Sequence, residues 1–471
     1  MKINSNIFRA YDIRGIYPDE LNEDIVYRTA RAMAEFYPHV KKMVVAGDSR
    51  LSSPVLSQAA IKGFVDEGKE VINIGTAPDP LFYFSILHYG FDGGIMVSGS
   101  HNPKEYNGLT LNARKSKNET PEDVVLEELQ KIKARVSADF SESKEKGRVS
   151  DFDPAEDYVN YVVPRIHLKK PLKIVFDTGN GAVGYLPEKI FKKLGCQIKT
   201  LYGEFDGNFP HHLPDPYEEK NLQDIKDAVL REKADCGFAF DSDGDRVSPI
   251  DNRARTVKGD FCLWMLAKQA LKKKKGPIVH DMRVSKTLLD EMAKEGIKTY
   301  FSISFHEAVR KKIIETNAVF GGEVTYHFFF PLDYYLCDEA ILSALKLSEV
   351  VSEHDDFASY LDTIPRYPIS PEVFIDTKDE LKFAIIDDLV KYLRENNYNF
   401  VDVDGARINF DNGWALARAS NTTPFIKCRF EGRTKEDLFE IEKKTLEIFK
   451  KVGIPLTKKT YLELGLKNST F

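Results

Sequence analysis

Long apolar runs are missing from this chain. Nowhere do 18 apolar residues follow one another, and the aromatic cluster Phe328–Phe330 is far too short to span a bilayer. A membrane-spanning helix is excluded, and no membrane partner is expected. The first residues, MKINSNIFRAYDIRG, lack the apolar core of a secretory leader, so none is expected. Cysteine is scarce. The five thiols, Cys196, Cys236, Cys262, Cys337 and Cys428, form no C-x-x-C pair and are odd in number. That pattern predicts a reducing compartment, the cytoplasm, with thiols used as small core residues. An excess of positive charge is also lacking: Lys+Arg 67 against Asp+Glu 73 gives a net charge of −6. A nucleic-acid backbone would find no global attraction, so no nucleic-acid partner is expected, although a local basic pocket stays open. Low-complexity tracts are absent. The short run Lys272–Lys275 reads as a solvated helix end before Gly276.

What is present is an ordinary soluble composition, 42% hydrophobic and 30% charged. At about 150 residues per domain, the 471 residues suggest three or four domains. An internal repeat organises them. Strand-length apolar segments end in Asp at MVVAGD (43–48), IVFD (174–177) and IVHD (278–281). Each is followed by a helical stretch and then by a Gly opening another strand: Gly68, Gly195 and Gly296, at offsets of 20, 18 and 15. Those offsets suit strand–helix–strand crossovers. Each unit closes on a third strand running into a polar loop: GGIMVSGSHNP, CGFAFDSDGDR and AVFGGEVTYH. The fold class expected is α/β: three tandem α/β/α sandwich domains of similar topology, then a smaller α+β domain. Ligands in such sheets lie beyond the carboxyl ends of the strands, where all three polar loops fall.

Residues 112–157 are charged and poor in strand signals, which sets a first border near 150. A second follows the 241–246 loop, near 252, and Pro365, Pro368 and Pro371 mark the third. The expected domains are therefore 1–150, 151–252, 253–366 and 367–471. In the last, ARINF, a turn at Asp411–Gly413, WALARAS and FIKCRF read as antiparallel strands. KEDLFEIEKKTLEIFKK follows as an amphipathic helix, with Leu438, Ile441, Leu446 and Phe449 as its buried stripe.

Four loops could carry chemistry. In DSDGDR, Asp241, Asp243 and Asp245 alternate around Gly244 directly after a strand. Carboxylates this close repel one another, and a hard divalent cation such as Mg²⁺ is the usual way to hold them. An EF-hand is excluded, because its Gly and Glu places hold Arg246 and Asn252. In SGSHNP, Ser100 stands beside His101, a potential proton carrier, and is a plausible nucleophile; taken alone, the segment reads first as a Ser-rich turn. RASNTTP concentrates Arg418, Ser420, Asn421, Thr422 and Thr423 between two strands, as an anion cradle or a polar hairpin. In GGEVTYH, Glu323 and Thr325 are expected on one side of an extended segment, able to grip vicinal sugar hydroxyls, with His327 nearby. His306, in SISFHEAV, is by itself only a histidine.

Together and in this order, from FRAYDIRG at 8–15 to RASNTTP and IKCRFEG, these motifs resemble the α-D-phosphohexomutase family, the phosphomannomutases and phosphoglucomutases. The resemblance covers nearly the whole chain. It implies four domains around a central cleft and interconversion of hexose 1- and 6-phosphates, with glucose and mannose phosphates as candidate substrates. It implies a phosphoryl group carried on Ser100, and Mg²⁺ held by Asp241, Asp243, Asp245 and a phosphoserine oxygen. Hexose 1,6-bisphosphate is implied as intermediate and activator. Glu323 and Thr325 match sugar-hydroxyl contacts; Arg418, Ser420, Asn421 and Thr422 match the site of the non-reacting phosphate. Arg14, His101, Arg246, His306 and His327 match residues lining the reaction centre. The partners implied are small phosphosugars, with monomer and dimer both open.

The chain departs from the family pattern at Thr110, where a Lys is common, at Ser242 and Tyr326, where Gly is common, and at Phe305, where Gly often precedes the histidine. These departures keep two alternatives open: a weakly catalytic phosphosugar-binding regulator and a phosphoglucosamine mutase. At Thr110 either another cation reaches the transferring phosphoryl group, with Lys104 and Lys115 nearest in sequence, or the enzyme is intrinsically slow.

Overall fold

The computed structural model describes residues 4–9, 11–116, 119–140, 145–420, 424–457, 460 and 464. The chain forms two compact units: residues 1–258 with 325–361, and residues 259–324 with 362–471.

In the first unit, strand Lys42–Gly47 lies between Glu70–Thr76 and Gly93–Val97, parallel to both. Its side chains from Met43 to Ala46 are all buried, as expected for a parallel strand covered on both faces. Tyr106–Ala113 turns back antiparallel on Gly93–Val97, and Ile13–Ile16 pairs antiparallel with Tyr106–Ala113. Arg148–Asp151, exposed throughout, adds a parallel edge beside Glu70–Thr76. This strand straddles the border expected near 150, and its polar sequence explains why it carries so little strand signal.

A second sheet of this unit runs Val247–Asp251, Cys236–Phe240, Lys173–Asp177 and Gln197–Leu201. The last three are parallel, and Val247–Asp251 returns antiparallel. Helix Ala340–Ser352, capped by the Glu339 carboxylate, packs on Cys236–Phe240 and Val247–Asp251 and is buried along its whole length. Its segment, 325–361, was expected in the third repeat; a helix buried on every side, Lys346 and Glu349 included, needs more cover than one short sheet supplies, and it groups with the first unit.

In the second unit, Ile278–Asp281 lies parallel between Thr299–Ser302 and Phe320–Gly322, the same strand plan for a third time. The remaining sheet is antiparallel, in the order Val373–Asp376, Phe425–Gly432, Gly413–Ala419, Ala406–Phe410 and Phe400–Val401. Helix Lys435–Lys451 starts with a capping box between Thr434 and Asp437. Ile441, Leu446 and Phe449 are buried against the sheet, and Leu438 packs at the edge of that core. Helix Gly259–Lys273 ends where the lysine run begins to be exposed.

Candidate functional site

Every crossover in these sheets delivers a loop at a strand's carboxyl end. Strand Gly93–Val97 delivers Ser98 and Ser100, both buried. Ser98 is committed: its hydroxyl lies 2.5 Å from Asp243 Oδ2 and 3.1 Å from Asp48 Oδ2. Ser100 differs. It adopts a left-handed backbone with φ 47°, and its Oγ lies 3.1 Å from His101 Nδ1 and 3.4 Å from Asp241 Oδ2. Arg14, on the strand antiparallel to Tyr106–Ala113, donates to Asn102 Oδ1 at 2.8 Å from the flank of the same loop. Burial, with Arg246 and Arg14 nearby, pushes the His101 pKa well below its ordinary value. The imidazole is neutral at physiological pH.

Strand Cys236–Phe240 delivers the acidic loop. Asp241 and Asp243 are buried, and Asp241, Asp243 and Asp245 offer ligand atoms within 4.8 Å of one another. Gly244 has φ 77°, and a Cβ there would strike Val183, so the turn that aims the carboxylates inward needs this glycine. Burial, then Asp245 and Asp243, drives the Asp241 carboxyl far above the usual range. Burial and Asp245 push Asp243 up to about 6. Burial opposes ionisation of Asp245, but His327 and Arg246 outweigh it and hold its pKa below the ordinary value. Asp243 Oδ1 and Asp245 Oδ1 are buried without a hydrogen-bond partner among the described residues. Clustered, under-bonded oxygen ligands that resist ionising together fit a hard divalent cation. Ser242, where the family commonly has Gly, donates its hydroxyl to Ser100 O at 2.8 Å and ties the two loops together.

His327 joins this group within the first unit. Its Nδ1–H donates to Asp338 Oδ2 at 2.7 Å, and Arg246 Nε–H donates to its Nε2 at 2.9 Å. Burial opposes protonation, but Asp245 and Asp338 prevail and raise its pKa. Arg246 also lies 3.6 Å from Asp245 and 3.8 Å from Asp241. Thr325 belongs to the same unit. The expected extended path through Glu323 and Thr325 is a turn instead, with Tyr326 at φ 74°. The Gly common in the family at this place is explained by that backbone. Here Tyr326 adopts it while burying its ring and donating its hydroxyl to Val257 O at 3.2 Å.

The second unit carries the other predicted residues. Glu323 is buried and accepts from Arg283 Nη2 at 3.4 Å. His306 begins helix His306–Thr316, with Phe305 as its extended N-cap residue. Arg418 donates to Asp404 Oδ2 at 2.8 Å; its charge outweighs burial and holds the Asp404 pKa below the ordinary value. Ser420 is buried at the strand end. Asn421 and Thr422 lie outside the described residues.

Sequence reasoning missed Asp48, Arg50, Asp338 and Arg283. A signal existed for three of them. Asp48 and Asp281 each close the first strand of a repeat, and an Arg follows two residues later in both. Aligning the repeats residue by residue, not only by strand ends, exposes that match. Asp338 had no signal, because only the chain's return brings it to His327.

Four family models match in order: the phosphoglucomutase/phosphomannomutase alpha/beta/alpha domains I (residues 5–138), II (156–255) and III (258–367), and the C-terminal domain (377–448). The chain is 35% identical over 442 residues to a phosphomannomutase/phosphoglucomutase of Pseudomonas aeruginosa, covering 93% of this chain and 94% of that one. It is 32% identical over 446 residues to a phosphoglucomutase of Neisseria meningitidis, covering 93% and 96%. A solved phosphoglucomutase/phosphomannomutase family protein from Burkholderia thailandensis superposes with a TM-score of 0.89 at 31% identity, over 97% of this chain and 99% of that one. Loops, repeats and relatives agree: the chain belongs to the phosphoglucomutase/phosphomannomutase family of α-D-phosphohexomutases and is an isomerase of that class.

Proposed function

We propose that the enzyme interconverts hexose 1-phosphate and hexose 6-phosphate, of glucose, mannose or both, with Ser100 as the phosphoryl carrier and hexose 1,6-bisphosphate as the bound intermediate. The observation that carries this reading is the place of Ser100 Oγ, 3.1 Å from a neutral His101 ring and 3.4 Å from Asp241 of the acidic triad. Segments 1–150, 151–252, 253–366 and 367–471 would then contribute the phosphoserine, metal, sugar and phosphate loops respectively.

In the forward step the P–Oγ bond of phosphoserine breaks as a sugar hydroxyl oxygen forms a new P–O bond. The hydroxyl proton passes to His327 Nε2, whose ring Asp338 orients, once Arg246 turns its N–H toward the phosphoryl oxygens. The bisphosphate then presents its other phosphate: Ser100 Oγ forms a bond to that phosphorus as its P–O bond to the sugar breaks, and the sugar oxygen regains the proton held by His327. Asp241, Asp243, Asp245 and a phosphoserine oxygen would hold Mg²⁺, which supplies charge neutralisation during transfer. Arg14 and Arg246 neutralise charge at the reacting group. Glu323 and Thr325 would hold sugar hydroxyls, His306 would line the reaction centre, and Arg418, Ser420, Asn421 and Thr422 would hold the non-reacting phosphate. The protein is read as cytoplasmic, working on small phosphosugars as a monomer or dimer.

Turnover of glucose 1-phosphate, mannose 1-phosphate and glucosamine 1-phosphate by one preparation, with and without hexose 1,6-bisphosphate, tests the reading. Conversion of the first two is expected, stimulated by the bisphosphate. Turnover of glucosamine 1-phosphate alone would replace the substrate assignment, and binding without any turnover would replace the mechanism.

A further inference from the structure

Burying an arginine is costly unless its charge and its N–H groups are all matched, and Arg50 is only 1% exposed. Its match is specific. Asp48, equally buried, accepts the Arg50 Nε–H at 3.0 Å through Oδ2 and the Arg50 backbone N–H at 3.0 Å through Oδ1. The terminal nitrogens serve one loop. Nη2 donates to Ser100 O at 2.6 Å and Asn102 O at 2.7 Å, and Nη1 donates to Pro103 O at 2.7 Å. The Phe209 ring covers the guanidinium at 5.0 Å. Asp48 reaches the opening of the same loop, accepting from Gly99 N and Ser98 Oγ, both at 3.1 Å.

A planar fork that draws three carbonyls inward dictates the peptide planes between them. One of those residues is Ser100, at φ 47°, a backbone a serine adopts at a cost of about 1 kcal/mol. The clamp therefore offsets a local strain that aims the side chain. The arrangement also recurs in the second unit, independently. Asp281 accepts from Arg283 Nε at 2.9 Å and from Arg283 N at 3.0 Å, and Arg283 Nη2 reaches Glu323, just beyond that repeat's third strand. The same Asp-x-Arg device reaches a loop of the same topological place in both.

We propose that Asp48 and Arg50 are positioning residues for phosphoryl transfer: the pair holds Ser100 in its left-handed backbone, so that a phosphoryl group on Oγ is in line for the sugar hydroxyl. The proposal rests on the reading of Ser100 as carrier. Arg50 donates to the loop's carbonyls from its buried side, so its loss should leave sugar affinity in place and slow transfer. Hydrolysis of phosphoserine, in which water oxygen replaces Ser100 Oγ on phosphorus, demands less alignment because water is free to choose its approach.

The test begins with intact mass and peptide mapping of the full-length parent, to establish phosphate on Ser100. Arg50→Met, Arg50→Lys and Asp48→Asn are then compared for kcat and KM with glucose 1-phosphate and for loss of phosphate from the phosphoenzyme to water. For Arg50→Met, kcat is expected to fall by about 10²-fold with KM within about threefold, and the ratio of transfer to hydrolysis to drop at least about tenfold. Arg50→Lys, which keeps the charge but not the fork, should fall between. Added methylguanidinium should restore part of the kcat of Arg50→Gly. A folded Arg50→Lys enzyme with the parent's kcat and transfer-to-hydrolysis ratio overturns the proposal, as does a kcat loss in every variant that only follows the folded fraction. A parent without phosphate on Ser100 instead defeats the functional reading beneath it.

Discussion

Ser98 and Asp243 stand 145 residues apart in sequence, and their hydroxyl and carboxylate lie 2.5 Å apart. The contact pins the start of the serine loop to the acidic loop, and it leaves Ser100 as the serine without such a commitment. Phosphate should accordingly map to Ser100. Ser100→Ala should lose both phosphate incorporation and turnover, whereas Ser98→Ala should keep incorporation and lose about tenfold in rate, the worth of one buried hydrogen bond. Peptide mapping after incubation with a hexose bisphosphate decides it, and phosphate on Ser98 alone would reverse the assignment.

Asp243→Asn should remove turnover much more than affinity. A carboxylate pushed up to about 6 by burial and by Asp245 is held ionised most readily by a cation. Loss of that stabilisation should cost about 10²–10³ in kcat. Arg418→Ala should instead raise KM. Steady-state kinetics separate the two, and chelation by EDTA should mimic Asp243→Asn reversibly. Parental kcat for Asp243→Asn would remove the metal assignment.

The place of the missing lysine has a structural answer in the first unit. Lys115 is engaged by Glu128 at 3.1 Å and Glu122 at 3.5 Å, and Lys104 is exposed. Arg14 sits on the strand beside that of Thr110, opposite Gly108, with Nη1 at the serine loop. Arg14→Met should therefore cost about 10²-fold in kcat, and Lys104→Ala and Lys115→Ala little. Thr110→Lys should raise turnover. A steep loss in Lys104→Ala would show that the exposed lysine swings in.

Tyr326 carries a positive φ that glycine would relieve, yet Tyr326→Gly should destabilise the fold. Relief of the left-handed backbone returns about 1 kcal/mol, while removing a buried aromatic ring costs about 3–5 kcal/mol. The hydroxyl bond to Val257 O is lost as well. Denaturant midpoints check the sign, and a more stable Tyr326→Gly protein would contradict it.

Burial pushes Glu442, on helix Lys435–Lys451, from the ordinary 4.5 up to about 7. The folded state thus holds this proton over a range in which the unfolded chain has released it. Its contribution is complete below pH 4.5 and is lost as pH rises through about 7. Glu442→Gln should flatten that part of the stability curve and gain about 1 kcal/mol above pH 7, after allowance for partial solvent screening. Thermal melts from pH 4 to 8 read the slope, and parallel curves for parent and variant would refute it.

The linear order of residues determined the strand–crossover–strand repeats, the antiparallel last sheet and the helix Lys435–Lys451, because each rests on local periodicity and turn chemistry. It also determined that Ser100, the three aspartates and Arg418 end up at strand ends, since strand and loop alternate visibly around them. Tertiary structure alone decided which groups meet. The His327–Asp338 bond, the tie from Ser242 to Ser100 and the clamp of Arg50 on three carbonyls depend on loops from distant segments arriving at one place. It also decided the turn at Tyr326, where burial of a ring outweighs backbone preference, and the placement of helix Ala340–Ser352 in the first unit. A helix rich in Leu, Ile, Val and Ala announces that it will be buried but not against which sheet, because hydrophobic burial has no direction of its own.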